Sequence, residues 1–166
     1  MGREAPVRRI EPVIPSSAAR LRRSIRAWLA WAALATALNA LWEIGQLPLY
    51  AIFWQGSAGA NAWAVVHCTA GDALIAAAVY ALAALAARDA AWPWSRPWRG
   101  LAVATLAAVS YTIFSERYSV YVAGRWAYAP AMPLVFGIGL APLAQWALVP
   151  GLTLALLRRF VPKGAA

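Results

Sequence analysis

Residues 60–87 read ANAWAVVHCTAGDALIAAAVYALAALAA. The run holds one acid, Asp72, together with the only histidine of the chain, His67, and its only cysteine, Cys68. Its length exceeds the ~20 apolar residues that cross ~30 Å of hydrocarbon. The stretch therefore predicts a membrane-spanning helix, one that carries its costliest side chains where water is scarcest.

The rest of the chain agrees. Apolar residues make up 63% of 166 residues and charged ones 13%, against roughly 45–50% and 25% in soluble domains. A soluble fold of this size leaves too much surface facing water to hide so much apolar area. Further apolar runs at 28–47, 101–121 and 134–157 bring the expected spans to four, with 61–87 as the second. The expected fold class is an all-α integral membrane protein, with four transmembrane helices in a compact bundle. Pro142 and Pro150 predict a kink in the last helix, because proline removes a backbone donor.

Three segments follow. Residues 1–26 form a basic cytoplasmic tail, disordered over its first 15 residues, with a short juxtamembrane helix, SSAARLRRSIR, from Ser16. Residues 27–160 form the transmembrane domain, and 161–166 a second cytoplasmic tail. The first run reads as an uncleaved helix, not a signal peptide, because its basic lead is long and Glu43 interrupts it.

Lys and Arg set the orientation. With both termini inside, thirteen basic residues fall inside and two, Arg117 and Arg125, outside. The chain is expected in a bacterial cytoplasmic (inner) membrane. The formal charge of +9 flanks hydrophobic runs and forms no separate basic domain. It therefore points to membrane lipids with anionic headgroups as partners at the N-terminal basic segment, and not to nucleic acid.

Glu43, Asp72 and Glu116 lie inside predicted spans, where an ionised carboxylate costs at least ~2.5–3.5 kcal/mol. Span directions put all three, and His67, between the outer surface and the midplane. Thr36, Asn39, Glu43 and Gln46 form one helical stripe; Thr105, Thr112, Glu116 and Ser119 form another. Such stripes should face protein or trapped water. His67 lies about 140° around the helix from Asp72, so one pocket holds both only by wrapping that helix.

The expected catalytic residues are Glu43, Asp72, Glu116 and His67, serving as proton donors and acceptors. The expected substrate-binding residues are Asn39, Arg117, Arg125, Trp126, Tyr128 and Gln145. An arginine there would hold an anionic headgroup or neutralise Glu116. A metal site is disfavoured: there is one histidine, and its spacing from Asp72 does not bring two ligands to one ion. One cysteine excludes an internal disulfide, and Cys68 reads as a buried small hydrophobe. Nucleotide and nucleophile-elbow motifs are absent, so no nucleotide cofactor is expected.

The expected function is an outward-facing intramembrane carboxylate/His pocket. It would act as an acid–base enzyme or binder for a lipid-like or small apolar substrate. The alternatives are a transporter of protons, metal or a small solute, for which four helices would need a homodimer, or an accessory subunit of a membrane complex. Against transport, the inner halves offer few polar groups beyond Thr36, Thr105, Tyr80 and Thr153.

Overall fold

A computed structural model describes residues 17–161. Within them the chain is almost entirely helical. Helix α1 spans Ser17–Gln46 and continues as a 3-10 turn to Leu49. A short helix α2, Ala51–Gln55, leads to α3, Ala58–Ala87. The four-residue α4, Trp92–Ser95, precedes α5, Pro97–Arg117, which ends in a π-turn over Tyr118–Val122. A two-stranded hairpin, β1 Leu134–Val135 and β2 Ile138–Gly139, leads directly into α6, Leu140–Phe160.

The boundaries have local causes. No glycine or proline interrupts α1 before Gly45, and Pro48 follows its end. The basic segment around Arg22, Arg23 and Arg26 is thus the opening of α1 and not a separate helix. Ser57 caps α3, its hydroxyl accepting from the Ala60 amide at 3.2 Å. At the other end Arg88 turns left-handed, with φ of 52°, and Arg96 Nη1 donates to the Ala87 carbonyl at 2.8 Å. Pro97 opens α5, where its missing N–H costs nothing.

The last element departs from expectation. The run expected to be helical from 134 starts its helix only at Leu140, because Phe136 and Gly137 take positive φ and turn the hairpin. Pro142 falls in the first turn of α6, where it leaves no acceptor unserved. Pro150 lies inside a continuous helix.

The long helices pack in the cyclic order α1–α3–α5–α6. Alanines let them approach closely: Ala27, Ala35, Ala76, Ala83, Ala87, Ala104 and Ala108 are all buried. Trp31 and Trp92 meet edge to face at 5.2 Å, and Tyr80 stacks obliquely on both. Gly100 makes room for them, since a Cβ there would sit 2.0 Å from Trp92 Cε3. This alanine–tryptophan core fills the end of the bundle where α3 finishes and α5 begins, hereafter the Arg88 end.

The outward faces remain apolar: Leu41, Leu74, Leu85 and Leu106 are exposed. Three helices are long and apolar enough to cross a membrane: α1 with its 3-10 turn, α3 and α6. That is what an integral membrane protein requires. Helix α5 matches α6 at 21 residues, but Ser110, Tyr111, Thr112, Ser115 and Glu116 make it more polar. The expected disordered tail (1–15), Arg3, Arg8, Arg9 and Lys163 lie outside the described residues.

Candidate functional site

At the opposite end, where α1 finishes and α3 begins, the helices enclose a cavity of about 710 Å³. Its floor is polar. Gln145 on α6 is buried, and its Nε2 donates to Asn39 Oδ1 at 2.9 Å, Glu43 Oε1 at 3.1 Å and Asp72 Oδ2 at 2.9 Å. One carboxamide thus joins α1, α3 and α6. Gln46 Nε2 adds a bond to Glu43 Oε1 at 2.7 Å and to Gln145 Oε1 at 3.3 Å, while its Oε1 accepts from Trp42 Nε1 at 3.2 Å.

Glu116 sits on the opposite wall, on α5. Its Oε2 accepts from the Tyr128 hydroxyl at 2.6 Å and from Trp126 Nε1 at 3.4 Å. Distant chain segments place those donors. Ala51 N bonds the Ala127 carbonyl and Ala129 N bonds the Leu49 carbonyl, a bridge that pairs Tyr50 with Tyr128. Their rings lie 5.7 Å apart. Burial pushes the Tyr128 phenol above its ordinary range, and its bond to Glu116 adds to this. Burial, then the Glu116 charge, does the same to Tyr50. Both phenols therefore stay protonated and available as donors.

The expected residues separate into three groups. Glu43, Asp72, Glu116, Gln145 and Trp126 line the cavity, while Asn39 and Tyr128 join it through hydrogen bonds. His67 and Arg125 reach its exposed rim. His67 packs on the Trp63 ring at 5.8 Å, and Arg125 lies over the Tyr118 ring at 5.5 Å. The helical offset foreseen between His67 and Asp72 thus appears as rim against floor. Arg117 is exposed and does not line the cavity. Among the described residues no arginine forms an ion pair with Glu116, whose partners are neutral donors.

Among the lining residues not foreseen as site residues are Gln46, Tyr50, Tyr111 and Trp146. Gln46 belongs to the α1 polar stripe and was findable there. Tyr50 sits in a turn that only the contact with Tyr128 brings to the site.

The cavity ends where the core begins. Toward the Arg88 end the buried hydroxyls of Tyr80 and Thr153 and the half-buried one of Thr36 are satisfied locally. Thr36 donates to the Ala32 carbonyl, Thr153 to Val149 and Tyr80 to Ala90. At the floor itself, Thr112 likewise donates to Ala108. No group of three or more His, Cys, Asp or Glu among the described residues has a geometry that could hold a metal ion. Comparison with protein-family models, with curated proteins and with solved structures gives no match.

Proposed function

We propose that this is a small membrane enzyme or binder whose cavity receives a lipid-like or small apolar substrate and exchanges protons with it. In this reading all four long helices cross a bacterial cytoplasmic membrane with both termini inside, and the cavity opens in the outer half. The bias of Arg residues toward one face supports that direction. Helix α5, more polar than the rest, is carried by its contacts with α3 and α6. Pro150 gives α6 a bend, and the basic start of α1 rests against anionic headgroups.

One observation carries the reading: the carboxyls converge on a cavity that is closed toward the Arg88 end. A conduit needs polar groups through its whole length. Here Trp31, Tyr80, Trp92 and Leu157 fill the section beyond the floor, and the hydroxyls of Thr36, Tyr80 and Thr153 are spent on the backbone. That geometry suits a pocket. Glu43 and Asp72 share one amide donor, so a proton can pass between them over a short distance. Glu116, steadied by Tyr128 and Trp126, exchanges protons from the facing wall. An acid and a base that flank one substrate need that layout. The aromatic walls suit an apolar body, and its polar end meets the floor.

Native mass spectrometry of protein released from mild detergent tests this. Wild type should retain an apolar ligand that Glu43→Gln and Glu116→Gln lose and Thr153→Val keeps. Equal loss in Thr153→Val, or solute flux through the protein in proteoliposomes, would replace the pocket with a conduit.

A further inference from the structure

Hydrogen-bond supply at the cavity floor is unbalanced. Gln145 Nε2 has two hydrogens but faces three acceptors, Asn39 Oδ1, Glu43 Oε1 and Asp72 Oδ2. Glu43 and Asp72 stand within hydrogen-bonding reach of each other, with Cys68 near Glu43 and Tyr50 near Glu116. At the same floor the Asn39 Nδ2 amide is wholly buried and has no acceptor. Buried amide donors are almost always paired, so this network is short of a member. Glu43 and Asp72 draw on one Gln145 amide and on each other, so a ligand that donates to both relieves Gln145.

Charge points the same way. Three carboxyls line the cavity, while the basic groups that touch it, His67 and Arg125, stand on its exposed rim. Trp63, Trp126, Trp146, Tyr50 and Tyr111 complete the walls, and aromatic faces attract cations.

Resting on the pocket reading above, we infer that the substrate or ligand carries a protonated amine, and that its ammonium group sits at the floor between Glu43 and Asp72. An ammonium group offers three donors and no acceptor. Once it serves both carboxyls, Gln145 is released from them. Its Nε2 then serves Asn39 Oδ1 alone, and its Oε1 keeps the donor from Gln46. The apolar remainder of the amine lies along the aromatic walls.

The test compares three probes of one chain length, octylammonium, octanol and octanoate, binding to the full chain in nonionic detergent by isothermal titration calorimetry. Octylammonium should bind at least roughly tenfold tighter than octanol, since each charge-assisted bond is worth about 1.5–3 kcal/mol. Octanoate should bind weakest. Glu43→Gln and Asp72→Asn should each erase the preference for the ammonium, with a near-UV circular dichroism spectrum like wild type showing that the variants fold. If octanol binds as tightly as octylammonium and loses its site in Trp146→Ala, the pocket stands and the amine inference falls. If none of the probes binds, both fall.

Discussion

Gln145 holds three helices through one carboxamide, and replacing it by leucine puts a value on that junction. Leucine has a similar volume, so the change removes the bonds without opening a large void. Two amide hydrogens facing three acceptors amount to at most two full bonds. Bonds to charged groups are worth about 1.5–3 kcal/mol each, whereas polar pairs inside membrane bundles average about 0.6 and reach about 1.7. The floor lies between these cases, since it is buried but borders a cavity, so Gln145→Leu should cost about 2–4 kcal/mol. For a chain of this size that lowers Tm by roughly 4–16 °C, read by near-UV circular dichroism in detergent. Most of the loss comes from Asp72 left without its Gln145 donor, since Glu43 keeps the bond from Gln46. Asp72→Asn added to Gln145→Leu should therefore recover at least about 1 kcal/mol. A Tm within about 2 °C of wild type for the single variant, or no recovery in the double variant, would refute the shared-donor account.

Other consequences follow from neighbouring contacts. Gly100→Ala drives a Cβ into the Trp92 ring and should cost about 1–3 kcal/mol by overpacking, visible as a lower Tm, whereas Gly71→Ala, with open space at its Cβ, should leave Tm unchanged. Tyr128→Phe keeps the ring against Tyr50 but removes the 2.6 Å bond to Glu116; calorimetry should show ligand binding about tenfold weaker with Tm near wild type. In a Cys68→Ser background, an impermeant maleimide applied to intact cells should modify a thiol placed at Ser57 and spare one at Ser95; the reverse pattern would invert the assigned orientation.

The all-α class, its long apolar helices and the convergence of carboxyls were legible because they rest on rules of lipid solvation. Glu43, Asp72 and Glu116 are conspicuous in apolar runs, and the i, i+4, i+7 spacing of Asn39, Glu43 and Gln46 puts them on one face without tertiary knowledge. Gln145 was identifiable as a pocket residue from its position in an apolar helix. Its place at the centre of the network was not, since that depends on how α6 is rotated against α1 and α3. The hairpin before α6 was hidden because Leu134, Val135 and Phe136 are as apolar as the helix they precede, and hydropathy does not distinguish a short apolar strand from a helix end. Arg117 and Arg125 were read as equivalent anchors near Glu116. The π-turn over Tyr118–Val122 shifts the chain between them, and only Arg125 reaches the cavity. The role of Tyr128 depends on pairing across 78 residues with Tyr50, which no local pattern signals.

The central claim is a cavity open at the α1–α3 turn and closed toward the Arg88 end, and the native Cys68 reports on it because it lines that cavity. The decisive measurement is the modification of Cys68 by a small, permanently cationic methanethiosulfonate reagent, applied from outside to spheroplasts and from inside to inverted vesicles. The account predicts modification from outside, slowed by bound octylammonium, and none from inside. Modification from inside, or no modification from either side while a thiol at Ser57 reacts, would contradict it.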